Sequence, residues 1–222
     1  QAWGALLNEL REAVFEIAEP AVASAKRGWW AEELQAIASG TARHPLGQAL
    51  ALNPASRSAP WAGLGLALYG AGGEQRADDT ARSLAALLPL AEAVIAVENA
   101  VFHSRGDADA VRSLALHWLL QRLPAGLTEA DGARIPMHLL ARHAMTAAQL
   151  PGAPAALLRD WAAALLAASP ASAPGAAFLR RARSAFDRAR LRRLARLGGE
   201  GGFDEPAAPP TLWRAWRAAR GA

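Results

Sequence analysis

The sequence predicts an all-α fold, arranged as a single-domain helical bundle, and three observations favour it. Alanine, leucine and arginine dominate the composition, and all three residues favour helices over strands. Apolar residues recur at steps of three and four along the long segments, and no alternating strand pattern of useful length occurs. The chain has 222 residues, of which 52% are hydrophobic, so it is long enough to bury a sizeable core.

The first half of the chain predicts a series of helices with recognisable ends. An apolar stripe over 6–17 marks the first helix. Pro20 opens the second helix at a position that needs no amide donor, and Gly40 ends it. A long helix, capped by two aspartates, is predicted over 78–103, with a kink at Pro89 because proline removes a donor and clashes with the preceding turn. The other segments are a short helix over 45–52, a loop over 53–60, a helix over 61–69 and a loop over 70–75.

The second half is also predicted to be helical. Asp107 caps a helix that runs to Leu123. We expect one helical domain over 1–197, followed over 198–222 by a flexible hinge and a C-terminal helix. The chain starts at Gln1 without a methionine or a capping residue, so we expect that this domain is N-terminally incomplete. The other segments are a loop over 124–132, helices over 134–148 and 151–168, a separating turn over 170–175, an arginine-rich helix over 176–197 and a terminal helix over 211–220.

The composition narrows the function classes. The absence of cysteine excludes disulfides, thiolate catalysis and cysteine-ligated metals, and it favours a cytoplasmic location. No run of 18 apolar residues and no signal-peptide pattern occur, so no transmembrane span is predicted. No P-loop, dinucleotide fingerprint or nucleophile elbow is present. We expect structural or surface roles for the histidines, which have no acids at metal-ligand spacing: His44, His103, His117, His138 and His143.

One combination of residues is unusual. Residues 26–34 read Lys-Arg-Gly-Trp-Trp-Ala-Glu-Glu-Leu, and after a glycine break residues 43–46 read Arg-His-Pro-Leu. The combination resembles the squalene/phytoene synthase family, in which a Lys-x-x-Trp-Trp-x-x-Glu-Leu helix leads into an Arg-His-Pro turn. The resemblance covers roughly residues 5–150 and implies a helical bundle of the isoprenoid synthase type. Adjacent helical residues point about 100° apart. We therefore expect one of Trp29 and Trp30 to be buried and the other to cover the Arg-His-Pro turn.

The resemblance also implies where carboxylates should lie. Head-to-head prenyl condensation ionises an allylic diphosphate, and magnesium ions held by carboxylates neutralise the leaving group. The family carries two aspartate-rich motifs with i, i+4 spacing, which places both carboxylates of a motif on one helix face. Glu12 and Glu16 stand at the first motif, with glutamate in place of both aspartates. They are the candidate remnant catalytic residues and metal ligands, and the competing interpretation is a solvated acidic helix face.

The second aspartate-rich motif is missing. Matching segments at 115–122 and 132–136 locate it, yet no Asp or Glu occurs between Val111 and Thr128. Arg122 and Leu123 stand where the first aspartate belongs, and an arginine there would repel magnesium. The resemblance leaves Arg43 and Arg134, which lie in the two matching turns, as the candidate substrate-binding residues.

The C-terminal part of the chain is basic. Residues 180–222 contain eleven arginines and four acids, a net charge of +7. The arginines of 180–196 interleave with Phe178, Ala182, Phe186, Ala189 and Leu197, which we interpret as the apolar face of a core-docked helix with a solvated arginine face. Peripheral contact of Arg180–Arg196 with an anionic membrane is the alternative. Nucleic-acid binding is not expected, since no recognised module surrounds the arginines.

These observations predict a divergent bacterial squalene/phytoene synthase-like protein that has lost efficient catalysis. Its expected role is binding or accessory, with an isoprenoid or prenyl diphosphate ligand, or a protein partner, and with no cofactor. One alternative is an active prenyl-diphosphate transferase that uses Mg²⁺ at Glu12 and Glu16. Another is a membrane-surface adaptor that acts through the arginine-rich helix, in which case the cytoplasmic protein would be membrane-peripheral.

Overall fold

The computed structural model describes residues 1–71, 76–123, 135–150 and 153–198, together with Thr211, Trp213, Trp216 and Arg217. These residues form ten α-helices and two 3-10 turns, and no strand occurs among them. The prediction of an all-α fold is confirmed for this part of the chain. The helices are α1 (Ala2–Phe15), α2 (Pro20–Ser39), α3 (Pro45–Ala51), α4 (Trp61–Gly70), α5 (Thr80–Ala85), α6 (Leu88–Phe102), α7 (Ala108–Arg122), α8 (Met137–Arg142), α9 (Ala155–Ala168) and α10 (Phe178–Leu197), and the 3-10 turns are Pro54–Ser58 and Ala147–Gln149.

The chain divides into two compact units. The first unit comprises Gln1–Glu74 and Pro89–Gly106, and therefore contains α1 to α4 and nearly all of α6. The second unit comprises Gln75–Leu88 and Asp107–Ala222, and contains α5 and α7 to α10. The hinge and terminal helix predicted over 198–222 lie almost entirely outside the described residues, so the boundary at 197 stays a prediction.

Tryptophans and leucines form the core of the first unit. Trp3 ties α1 to α6, since its indole Nε1 donates to Oε1 of Glu98 over 3.0 Å and its ring meets Phe102 edge-on. Gly65 lets α4 approach α2 closely, because a Cβ at this position would lie 3.2 Å from the backbone oxygen of Ala31. The buried apolar residues of α1, α2 and α4 include Trp3, Leu6, Leu10, Trp30, Leu34, Ile37, Trp61, Leu64 and Leu68.

Several helix ends follow their sequence signals. α2 begins at Pro20 and ends before Gly40, whose φ of 71° is left-handed and suits glycine. Asp107 caps α7 by accepting the amides of Asp109 and Ala110, as predicted. The segment predicted as a loop over 53–60 differs, since Asn53 caps a 3-10 turn there by accepting the amide of residue 55.

The prediction of one kinked helix over 78–103 is wrong. Two helices form instead, and Asp79 caps the first, α5, by accepting the amide of Arg82 over 2.8 Å. Pro89 lies in the first turn of α6, where its missing amide would have had no intrahelical partner. The proline therefore begins a new helix and does not bend an old one.

The helix predicted over 134–148 is also shorter in the structure. α8 ends at Arg142 because Ala144 adopts a left-handed φ of 50°. The amide of Met145 then reaches the carbonyl of Leu140 over 2.9 Å, and the amide of Ala144 reaches that of Ala141 over 3.1 Å. This pair of bonds is a Schellman cap with alanine where glycine is usual.

The second unit is built around α9 and α10. Leu157, Trp161 and Leu165 of α9 are buried, as are Leu191 and Leu194 of α10. Polar contacts add to this packing: Asp160 of α9 accepts from Nε2 of His143, which follows α8, over 3.0 Å, and the amide of His138 in α8 donates to the carbonyl of Asp78 over 3.0 Å. No helix among the described residues is long and apolar enough to cross a membrane.

Candidate functional site

The two candidate metal ligands lie at the C-terminal end of α1. Glu12 is in the last turn of the helix, and Glu16 follows its last residue. Nζ of Lys26, the only lysine of the chain, approaches from α2 to 2.7 Å from Oε1 of Glu12 and 3.3 Å from Oε2 of Glu9. Arg11 forms an ion pair with Glu16. Each carboxylate of the predicted first motif therefore already faces a cation.

These ion pairs fix the charge state of the acidic stripe. The hydrogen bond from Lys26, with its charge, lowers the pKa of Glu12 below the usual range. Partial burial acts to lower the pKa of Lys26, but the hydrogen bonds to Glu12 and Glu9 outweigh burial and raise that pKa. Both groups are thus charged at neutral pH. Among the described residues, no set of three or more histidine, aspartate or glutamate side chains is arranged to hold a metal ion.

The tandem tryptophans both contact the ring of His44. Trp30 is 1% exposed, whereas Trp29 is 38% exposed. The His44 ring lies 5.0 Å from the Trp30 ring and 5.8 Å from the Trp29 ring between centroids, edge-on in both cases. The prediction that one indole is buried while the other covers the Arg-His-Pro turn is confirmed.

Glu33, three residues after Trp30, has a structural role in the turn that follows α2. Its side chain is fully buried, and its Oε1 accepts the backbone amide of His44 over 2.7 Å. Its Oε2 has no hydrogen-bond partner in the described part of the chain but lies 3.7 Å from Nε of Arg43. Gly47 leaves room for the carboxylate, because a Cβ there would lie 2.8 Å from Oε1. The residues that carry the family resemblance therefore close the turn between α2 and α3, which is a structural task.

Only one of the two candidate substrate-binding arginines can be placed. The Arg43 side chain is 67% exposed, and its guanidinium lies near two carboxylates, 3.7 Å from Glu33 and 3.9 Å from Glu32. Arg134 lies outside the described residues. Because Arg43 faces negative charge, a diphosphate would have to compete with these two glutamates for its guanidinium.

The position of the missing second motif faces inward. α7 ends at Arg122, and Leu123, which follows it, is 1% exposed. An aspartate at position 123 would place a charge in the core of the second unit, where desolvation is costly. The local structure is therefore adapted to a leucine at the position where the resemblance calls for a carboxylate.

The structure contains a buried polar strip that the sequence reading missed. Nδ1 of His117 on α7 donates to Oδ2 of Asp187 on α10 over 2.9 Å, and the Ser184 hydroxyl donates to the Ser113 hydroxyl over 3.3 Å. Arg180 is buried on the same face of α10. We name these five residues, Ser113, His117, Arg180, Ser184 and Asp187, the α7–α10 strip. A signal was present, since Asp187 is the only acid within an arginine-rich helix.

The predicted apolar face of α10 is wrong in part. Ala182 is buried, but Phe178 is 45% and Leu197 is 43% exposed. The inward face is instead the row 180, 184, 187, 191 and 194, three of whose members are polar. Polar residues can line an inward face where they find hydrogen-bond partners, and these partners lie about 70 residues away on α7.

Some arginines of α10 serve the fold. Arg188 donates to the backbone carbonyls of Ser169 and Pro170, and Arg181 donates to that of Ala176 over 2.8 Å. These bonds fasten the segment between α9 and α10. Arg192 and Arg196 are exposed, and neither pairs with a carboxylate of the described residues.

No family model, no curated protein and no solved structure matches this chain. Its resemblance to the squalene/phytoene synthases therefore depends on the sequence motifs already described.

Proposed function

We propose that this chain is a divergent squalene/phytoene synthase-like protein, with a helical bundle of the isoprenoid synthase type, that has a binding or accessory role and does not condense prenyl diphosphates. The observation that carries the proposal is the position of Lys26 between Glu9 and Glu12. The ammonium group supplies at this place the positive charge that magnesium supplies in a prenyl transferase.

Magnesium would meet two obstacles at the acidic stripe. It binds oxygen ligands at about 2.0–2.1 Å in near-octahedral geometry, and it loses its water reluctantly. To reach Glu12 and Glu16 it would have to displace Lys26 from one carboxylate and Arg11 from the other. The lowered pKa of Glu12 supports the same view, because its charge is already compensated.

The second support is the buried Leu123 together with the acid-free interval from Val111 to Thr128. A two-motif site needs carboxylates on facing helices to hold the ions between them. Only one acidic stripe is available at the expected places, so ionisation of an allylic diphosphate lacks half of its electrostatic support. Binding of the apolar part of an isoprenoid needs no such carboxylates.

One observation favours a second candidate function, that of an active prenyl-diphosphate transferase. The Glu12 and Glu16 side chains are 39% and 46% exposed. Exposed ion pairs are weakened by solvent and salt, so they contribute little to stability. Magnesium at millimolar concentration could then compete for these carboxylates, and catalysis would require further groups outside the described residues.

Product analysis separates the two candidates. The full chain is incubated with Mg²⁺ and farnesyl or geranylgeranyl diphosphate, and squalene, phytoene and cyclopropyl diphosphate intermediates are sought by mass spectrometry. We expect no product above a no-enzyme control, while a competent squalene synthase in the same buffer shows that the assay works. Product above that control would overturn the proposal in favour of the transferase.

The binding role is tested separately by tryptophan fluorescence. The chain is titrated with farnesol and with farnesyl diphosphate, with and without Mg²⁺. We expect saturable quenching that does not depend on Mg²⁺. Lys26→Gln frees Glu9 and Glu12, so it should raise Mg²⁺ affinity without producing turnover, whereas Arg57→Gln, an exposed control, should change neither. Absence of saturable quenching by either isoprenoid would remove isoprenoid binding from the proposal.

A further inference from the structure

The α7–α10 strip is a buried titratable network that the proposed binding role does not use. The inward face of α10 has a polar N-terminal half, which belongs to this strip, and an apolar C-terminal half. The N-terminal half presents Arg180, Ser184 and Asp187, whereas the C-terminal half presents Leu191 and Leu194. Hydrogen bonds to α7 therefore hold the first half of the helix, and apolar packing holds the second half.

The charges around His117 make the strip sensitive to a proton. The charged groups that act on the ring are Asp187, Arg183 and Arg180, all on α10. With a neutral imidazole, this group of four side chains has one negative and two positive charges, a net charge of +1. Protonation of the ring adds a third positive charge and raises the net charge of the group to +2, in a site where His117 is 9% exposed.

Charged groups also lie on α7 and on the described elements packed against α7 and α10. Asp109 and Arg112 of α7 are exposed. On α5, Arg82 is exposed and pairs with Asp78. On α9, Asp160 is bound to His143, which follows α8. Asp78 and Asp160 are therefore engaged elsewhere and Asp109 faces solvent, and Asp187 is the one carboxylate among the described residues that is hydrogen-bonded to the His117 ring.

We propose that the His117–Asp187 pair is an acid-sensitive latch that holds the N-terminal half of α10 against α7, and that protonation of the His117 ring releases it. The released segment includes Arg180, which is buried, and Arg183, which is already exposed. Acid would thereby expose buried positive charge on α10 while Leu191 and Leu194 keep the C-terminal half docked.

The direction of the pH dependence follows from the environment of the ring. Burial lowers the pKa of His117 below its ordinary value, the Asp187 bond opposes this without reversing it, and Arg183 and Arg180 add to the lowering. The unfolded or opened segment thus binds the proton more tightly than the closed one. The latch is complete above about pH 6.5 and is lost as the pH falls through the lower pKa of the closed form.

Hydrogen exchange of the full chain tests the latch. Protection over 178–187 is compared with protection over 188–197 between pH 7.5 and 5, after correction for the intrinsic exchange rate. We expect wild-type protection over 178–187 to fall by up to about tenfold per pH unit below about 6.5. Protection over 188–197 should change much less.

Two variants isolate the ring. His117→Asn retains a side-chain donor near the position of Nδ1 that does not titrate, so protection over 178–187 should become independent of pH. His103→Asn is the matched control, because His103 is exposed in the first unit and its φ of 51° suits asparagine. It should retain the wild-type fall. The proposal is overturned if wild-type protection over 178–187 does not change with pH, or if His117→Asn retains the same fall.

A measurement on the wild-type chain covers the case in which His117→Asn does not fold. The ring resonances of His117 are followed by NMR from pH 8 to pH 4.5. A midpoint below the ordinary histidine range, with spectral changes in α10 at the same midpoint, supports the latch. A midpoint at or above about 6.5 contradicts it.

Discussion

At the scale of single residues, Ala144 is the clearest departure from what its local structure prefers. It holds the left-handed position of the Schellman cap that ends α8, with a φ of 50°, and it is exposed. A residue with a Cβ pays about 1–2 kcal/mol for this conformation, whereas glycine adopts it freely. The cap bonds to Ala141 and Leu140 hold it there.

We predict that Ala144→Gly raises the free energy of unfolding. The relief of strain exceeds the extra entropy that glycine has in the unfolded chain, which leaves a gain of about 0.5–1 kcal/mol. Ala141→Gly is the control, since Ala141 is exposed three residues earlier within α8 and the same change there should cost about 1 kcal/mol. Urea denaturation followed by tryptophan fluorescence measures both. Equal signs for the two variants would contradict the assigned conformation.

Leu123 carries the second residue-scale prediction. We expect the double substitution Arg122→Asp with Leu123→Asp not to create turnover, and we expect Leu123→Asp alone to lower the free energy of unfolding by about 3–5 kcal/mol because it buries an uncompensated charge. Leu123→Asn removes the same packing without the charge, so the gap between the two variants should narrow in acid, where the carboxyl is neutral. Prenyl condensation by the double variant would show that the second motif is the only missing part.

The roles of some single residues can be predicted from the sequence, whereas the roles of others depend on distant partners. Gly40 and Asp107 were predictable, because the signal and the structure that it specifies lie within a few residues. The inward position of Ser184 was not, because a polar side chain is expected to face solvent until its partner on α7 is known, and Asp187 stood out only as the single acid of its helix, with no indication of its partner. The indoles around His44 were predictable from helical geometry, but the role of Glu33 required the backbone of the following turn.

At the scale of elements, the contact of α2 with α4 depends on one glycine. Gly63 and Gly65 lie two residues apart in α4, yet a Cβ at Gly63 would meet nothing within 4 Å, whereas one at Gly65 would lie 3.2 Å from the carbonyl oxygen of Ala31. A backbone carbonyl inside a helix cannot move aside alone, so the two helices would have to separate.

We predict opposite effects of the same substitution at these two glycines. Gly63→Ala should stabilise the chain by about 0.5–1 kcal/mol, since alanine is the better helix former. Gly65→Ala gains the same propensity but overpacks the interface, which typically costs about 1–3 kcal/mol, so the net effect should be destabilising. Thermal and urea unfolding of the two variants test this. Stabilisation by Gly65→Ala would mean that α2 and α4 are more loosely packed.

Element boundaries were the least predictable part of the fold. Periodicity alone joins α5 and α6, because both have apolar faces and Pro89 is compatible with a kink or a start. The structure shows that a new helix begins there, because Asp79 caps α5 and a turn separates α5 from α6. α8 ends early for a comparable reason, since no glycine marks its cap and alanine adopts the left-handed position instead.

At the scale of the whole molecule, charge is the most uneven property. The chain has a formal net charge of +4, whereas the segment over 180–222 alone carries +7. In the second unit some of these arginines stabilise the fold, since Arg181 and Arg188 donate hydrogen bonds to backbone carbonyls. Exposed Arg183, Arg192 and Arg196 remain for contact with an anionic surface.

We predict weak, salt-sensitive binding to anionic liposomes. Each basic residue near such a membrane contributes about 1 kcal/mol, and the attraction is screened over about 8 Å at physiological salt. Arg192→Gln with Arg196→Gln should reduce co-sedimentation at low salt, whereas Arg57→Gln, in the first unit, should not. Binding that persists at high salt would mean insertion of apolar residues, and no binding at low salt would leave α10 with a purely solvated arginine face.

The hydrogen bond from the His44 amide to the Glu33 carboxylate restricts substitution at position 33 more than at position 44. Glu33 contributes a side-chain oxygen, whereas His44 contributes only its backbone amide. As far as this bond is concerned, position 44 can change to any residue except proline, which lacks the amide, while position 33 must keep an acceptor of the same reach. In a deep mutational scan selected for folded protein, position 33 should therefore tolerate fewer residues than position 44. The tolerated residues at 44 should be those that can still pack against the two indoles.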